Sequence, residues 1–205
     1  MNGQKIRETY LEAGEFFAGV VHQVDIDGWE APALGEWCVR DLTGHTFRSF
    51  TNVLTYAGQP ADDVSVERPV DYFLKAFESL ADPKQVAERG RAAGLEIMDN
   101  PSMMVRGFAA QVKNKLGELA DDHIVGTPVG GMRIIDYLPT RTFEFIIHTL
   151  DLAKAINLDV EPPENGMAET LLILGQLALY RGHAPNLVLA ATGRHALPDG
   201  FSVLG

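Results

Sequence analysis

Residues 141–151 read Arg-Thr-Phe-Glu-Phe-Ile-Ile-His-Thr-Leu-Asp, and the fold turns on how this stretch is read. Phe143, Ile146, Ile147 and Leu150, followed by Leu152 and Ala155, recur at helical spacing and predict a helix from about Leu138 to Ile156. Glu144 and His148 are four residues apart, a spacing that stacks their side chains on one helix face. A carboxylate oxygen and an imidazole nitrogen one turn apart can close on a single metal ion. That donor pair suits zinc, iron, nickel or manganese. Asp151, three residues after His148, could orient a ligating imidazole from behind. The apolar neighbours imply a largely buried helix, where a carboxylate without a partner is costly. Arg141, three residues before Glu144, offers a plainer alternative: a simple ion pair.

Outward from this segment the pattern is helical almost throughout. Tyr10, Leu11, Ala13, Phe16, Phe17, Val20, Val21 and Val24 predict a helix over about Ile6–Val24, broken by Asp25 to Pro32. A second helix begins near Val39, with Leu42, Phe47, Phe50, Val53 and Leu54 as its stripe. Asp41 suits its first turn and Gly58 with Pro60 ends it. Asp62 to Pro69 reads as a loop. Helical stretches over about Val70–Leu80, Lys84–Asp99 and Ser102–Leu119 follow, with Pro83 suited to a first turn and Pro101 as a break. Asp122 to Tyr137 differs: short β-rich runs flank the Gly-rich segment 126–131 and predict a small hairpin or extended loop. A last long helix runs over about Glu164–Arg181, with Gly182 as its C-cap. The segment from Ala184 to Gly205 reads as ordered but irregular. No repeat and no linker divides the chain. The expectation is mainly α: a single domain over residues 1–205, a four-helix bundle with additional short helices and a small β-hairpin insertion.

The bulk properties exclude several functions. The 205 residues are 46% hydrophobic and 22% charged, enough to bury a core without covalent staples. With 17 basic and 28 acidic residues the net charge is -11, which repels nucleic acid and anionic membrane surfaces. No basic run offsets this, because Lys84 to Arg91 alternates in sign. The lone cysteine, Cys38, forms no internal disulfide. Residues Met1 to Glu8 lack an apolar signal core, and the run Leu171–Tyr180, interrupted by Gly175 and Gln176, is too short to span a bilayer. A cytoplasmic protein is the expectation. A homodimer stays open, since nothing in the pattern decides the oligomeric state.

A second segment matters for chemistry: Trp37-Cys-Val-Arg-Asp-Leu-Thr-Gly-His45. His45 lies four residues after Asp41 on the second helix, and Gly44 beside it would let another helix or a ligand approach closely. Trp29, Pro32, Trp37 and Val39-Arg-Asp-Leu-x-x-His45 together resemble the opening of the mycothiol-dependent maleylpyruvate isomerase family, within the wider DinB-like group of helical-bundle metalloproteins. Arg141-x-x-Glu144-x-x-x-His148-x-x-Asp151-Leu-Ala153 is similar to that family's second signature. Thr192-Gly-Arg194 and Leu197-Pro-x-Gly200 are similar to its members as well. The resemblance runs from about Tyr10 to Val203. Cys38 stands where many members carry the helix-capping Ser or Thr, as a weak cap or a thiol near the site.

The resemblance implies that His45 joins Glu144 and His148 on one divalent ion, usually zinc, with nickel or iron as other fits. Three protein ligands leave a position open, the mark of a catalytic rather than a structural site. By resemblance, mycothiol is the thiol cosubstrate and an electrophilic small molecule the substrate. The outcome is S-transfer or cis-trans isomerisation, with Asp151 and Arg141 as supporting residues. A different reading is a metal-binding sensor or partner-binding module without turnover; an open pocket at the metal would favour the enzyme. A third leaves the residues without an ion, Glu144 paired with Arg141 and the histidines satisfied by hydrogen bonds.

Overall fold

A computed structural model describes residues 2–79, 82–97 and 100–204. The order of elements is α1 (Gly3–Val21), β1 (Pro32–Leu34), β2 (Trp37–Cys38), α2 (Val39–Ala57), α3 (Pro69–Ser79), α4 (Pro83–Glu96) and α5 (Pro101–Glu118). It continues with β3 (Ile124–Thr127), β4 (Gly130–Arg133), α6 (Ile134–Ala155), α7 (Glu164–Tyr180) and α8 (Ala184–Ala191). The mainly helical reading is therefore correct. No helix among the described residues is long and apolar enough to cross a membrane.

Helices α1, α2, α5 and α6 form the bundle, with α4 laid against α2, and α3 and α7 against α6. Aromatic side chains fill its centre: Tyr10 and Phe17 from α1, Phe50 from α2 and Phe145 from α6 are all buried. The Phe50 and Phe145 rings lie 4.6 Å apart, and Phe145 lies 5.6 Å from both Tyr10 and Phe17. These contacts tie α2 to α6, the two helices on which the candidate ligands sit. Gly44 has a structural use here. A Cβ at that position would fall 2.1 Å from the backbone nitrogen of Gly94, so only glycine lets α4 cross α2 this closely.

The hairpin expected around residues 126–131 is present, with a tighter turn. Ile124 pairs with Arg133, Val125 with Met132, Gly126 with Gly131 and Thr127 with Gly130, leaving Pro128 and Val129 as the loop. It is also docked. The Gln59 carbonyl accepts from the Gly126 N–H at 2.7 Å, and the Gly131 carbonyl accepts from Ser65 and Val66. The segment after α2 is thus tied to the strands that lead into α6, which fixes the two helices relative to each other. A second, smaller hairpin, β1 with β2, begins at Pro32, where the expected break after α1 ends, and had no counterpart in the sequence reading.

Several boundaries differ from expectation for physical reasons. α1 ends at Val21, with His22 as its C-cap. α6 begins at Ile134, before the expected Leu138, and runs through Pro139. A proline so near the start costs a single intrahelical hydrogen bond, which the packing of this buried helix outweighs. Pro101 opens α5 instead of breaking it, since its missing N–H would have had no helical partner there. Asn100 caps that helix by accepting from the Met103 N–H. The expected helix ends at Leu80 and Asp99 lie outside the described residues. Gly182 does end α7. It sits at φ +73, and the Gly182 and His183 N–H groups return to the carbonyls of Leu179 and Ala178. The stretch after it is not irregular at first: α8 forms, with Pro185 in its first turn. It buries no residue fully and packs on the core only through Ala184 and Leu187, so eight mostly apolar residues give little contrast between its faces.

Candidate metal centre

The structure brings His45 of α2 together with Glu144 and His148 of α6. One donor atom from each lies within 4.8 Å of the others, a spread that one ion can span. Glu144 Oε2 is 3.6 Å from His45 Nε2 and 3.3 Å from His148 Nε2. All three side chains are partly exposed, at 20%, 20% and 17%, so the cluster is reachable from solvent. Glu144 and His148 are neighbours because one helical turn separates them. His45 meets them because the aromatic core and the docked hairpin hold α2 against α6.

The supporting residues differ in what they touch. His148 Nδ1 lies 3.2 Å from Asp151 Oδ2, so Asp151 orients this ring with its Nε2 toward Glu144. Arg141 forms the ion pair of the plainer reading of Glu144, but only at long range. Its Nη2 is 3.9 Å from Glu144 Oε1, and its Nε donates to Thr140 Oγ1 at 3.0 Å. Its guanidinium lies over the rings of Tyr72 and Tyr137 at 5.1 and 5.2 Å. Cys38 is not part of the cluster. Its Sγ lies 3.9 Å from a Glu30 carboxylate oxygen, and burial pushes its thiol above the ordinary value. That environment does not activate a thiolate.

The charge pattern follows from burial set against close partners. Burial raises the pKa of Glu144, but the His148 and His45 imidazoles and the Arg141 charge outweigh it and hold the carboxyl well below its usual range. Burial lowers His148, but Asp151 and Glu144 outweigh that and carry it up to about 9. For His45 burial wins, and its pKa is lowered. At neutral pH the cluster therefore holds an anionic Glu144, a cationic His148 and a neutral His45. A divalent cation in place of the His148 proton would satisfy the same carboxylate. Imidazole, imidazole and carboxylate are an ordinary donor set for zinc and its neighbours. The residues fit a divalent ion.

The cluster opens into a cavity of about 380 Å³ between α2, α3, α4 and α6. Phe73, Phe77 and Ile147 form an apolar wall, while Arg48, Asn52, Arg89 and Arg141 add polar groups. Three guanidinium groups on one cavity stand out in a chain of net charge -11. Leu204, near the end of the chain, also lines this space.

Fold and cluster together define a helical-bundle protein with a His-Glu-His group at the mouth of a cavity. The chain belongs to the mycothiol maleylpyruvate isomerase N-terminal domain family, whose model matches residues 10–153. No curated protein and no solved structure matches it.

Reading the sequence by motif missed most of the cavity. His45, Arg48, Ser49, Asn52 and Tyr56 all line it and recur at helical spacing along α2. That polar stripe opposite Phe47, Phe50 and Val53 was the available signal. It also missed Trp37 as a neighbour of His45, since no spacing rule brings a strand residue onto a helix side chain.

Proposed function

We propose that this protein is a metal-dependent, thiol-dependent enzyme that uses mycothiol against an electrophilic small molecule. The observation that carries the reading is the convergence of His45, Glu144 and His148 at a cavity with room for a substrate. His45, Glu144 and His148 would hold the ion: zinc first, with nickel or iron also suited to the donors. When bound, a divalent ion supplies the positive charge that keeps a thiol deprotonated near neutral pH and polarises an electrophile.

The chain's own residues do the rest. Asp151 fixes the orientation of His148 and takes up its Nδ1 proton in a hydrogen bond. Phe73, Phe77 and Ile147 keep water from one side of the cavity. Arg48, Arg89 and Arg141 suit a substrate that carries negative charge. Two outcomes share this site. In S-transfer the thiolate would displace a leaving group, or add across a double bond with uptake of a proton, and the new sulfur–carbon bond persists; in cis-trans isomerisation the thiolate would add to a conjugated double bond, the substrate turn about the resulting single bond, and expulsion of the thiolate restore the double bond. The family name favours the second and the metal-and-thiol chemistry allows both. The alternative of a binding module without turnover predicts a closed, fully enveloped ion site, and the open cavity speaks against it.

The test is direct. Zinc-loaded protein is supplied with mycothiol and a panel of small electrophiles, and thiol consumption and substrate isomerisation are followed. The expected result is saturable turnover that requires the metal and falls at least about a hundredfold in His148→Ala. Metal-loaded protein that neither binds nor uses the thiol would contradict the proposal.

A further inference from the structure

We propose that Trp37 is the positioning residue for His45, its indole ring taking the place of the hydrogen bond that steers an ordinary ligand histidine. The inference rests on the metal reading above and concerns how one ligand is aimed. A metal-ligating imidazole nearly always donates its second nitrogen to a carboxylate, carbonyl or water, which fixes the ring's rotation. His148 follows that pattern through Asp151. His45 does not. Its Nε2 points at Glu144, while its Nδ1 is buried and has no hydrogen-bond partner among the described residues.

Aromatic rings hold His45 instead. The Trp37 ring lies 4.6 Å from the imidazole, centroid to centroid, with the planes 35° apart. The His148 ring meets it edge-on at 4.9 Å and 89°. Tilting the His45 ring about its Cβ–Cγ bond away from this plane would weaken the contact with the indole, so Trp37 fixes the plane in which the imidazole lies. Trp37 is itself immobilised. It is 9% exposed, and its Nε1–H donates to the Ala87 carbonyl of α4 at 3.2 Å. α4 also presses on the indole at Gly90, where a Cβ would lie 2.7 Å from Cζ2 of the ring. A line of contact thus runs from Gly90 through Trp37 to His45, and the backbone of α4 helps to set the plane of that ligand through the indole.

The experiment measures metal affinity and ligand geometry, not turnover. Metal-free wild-type protein, Trp37→Leu, Trp37→Phe and Gly90→Ala are titrated with Co²⁺, and with Zn²⁺ against a competing chelator. The visible Co²⁺ spectrum reports the ligand field, and thermal unfolding of each metal-free variant is recorded beside it. Trp37→Leu should weaken binding by about tenfold or more and alter the Co²⁺ spectrum, in the range set by other groups that support ligand histidines. Trp37→Phe, which keeps a ring at the position, should recover affinity to within about threefold of wild type. Gly90→Ala should weaken binding by displacing the indole. A Trp37 that served packing alone would lower thermal stability in the Leu variant without moving affinity or spectrum. That result, with wild type binding normally, overturns the inference. Should the Leu variant not fold, an unchanged affinity in Gly90→Ala overturns it equally. A wild-type chain that binds neither ion overturns the metal reading and this inference together.

Discussion

At the scale of single residues the account rests on unequal titration within one cluster. His148 is held at about 9, Glu144 stays anionic and His45 is kept neutral. A metal ligand must be a neutral imidazole, so an ion binding at neutral pH has to displace the His148 proton. The sign follows: His148 is protonated below about 9, so affinity should rise as pH is raised toward that value. Calorimetric titration with Zn²⁺ in buffers of different ionisation enthalpy should show roughly one proton released per ion near pH 7. Binding with no proton release and no pH dependence would show that His148 is not a ligand. Part of this was legible in the sequence. Glu144 and His148 share a face by spacing alone, and Asp151 falls one turn further on. His45 could not be paired with them by any rule of spacing, because the contact depends on two distant helices packing through Phe50 and Phe145. Only family resemblance suggested it. Trp37 belonged to the resembling motif, but its contact with the His45 ring lay beyond both routes.

At the scale of elements, α7 shows where the pattern rules reach their limit. Its boundaries and its Gly182 cap are readable, but its buried face contains an acid. Glu169 is 4% exposed, and neither carboxylate oxygen has a hydrogen-bond partner among the described residues. The Thr142 hydroxyl of α6 donates to the Leu138 carbonyl at 3.3 Å. Burial accordingly raises Glu169 from 4.5 to about 7. A raised folded-state pKa contributes stability while the group is protonated. That contribution is full below about 4.5 and is lost as pH climbs to about 7. Replacing Glu169 with Gln removes the titration and keeps the shape. In urea unfolding, the variant should gain on wild type by on the order of 2 kcal/mol between pH 5 and pH 8. An equal stability difference at both pH values would mean that the carboxyl is not desolvated. Nothing in the sequence marks Glu169, since a helix of high mean hydropathy gives no sign of which acid turns inward. α8 fails to announce itself for the opposite reason: its exposed side is as apolar as the side that rests on the core through Ala184 and Leu187.

At the scale of the whole molecule, one buried core runs from Ile6 on α1 through Leu177 on α7 to Val203. The family match ends at residue 153, yet Leu204 reaches the cavity, so the part of the chain beyond the match helps shape the site. The strong acidity and the arginine-lined cavity are compatible because the charges are unevenly distributed: three guanidinium groups and a single carboxylate, Glu144, line this one opening. The global charge of -11 says nothing about this local reversal. Bundle, hairpin and glycine crossing all serve one arrangement, the meeting of α2 with α6.

The claim on which all of this depends is tested by anomalous diffraction from crystals grown with zinc and recorded at the zinc edge. One strong peak is expected about 2.0–2.2 Å from His45 Nε2, a Glu144 oxygen and His148 Nε2. A map with no peak there, or with zinc bound only elsewhere, would contradict it.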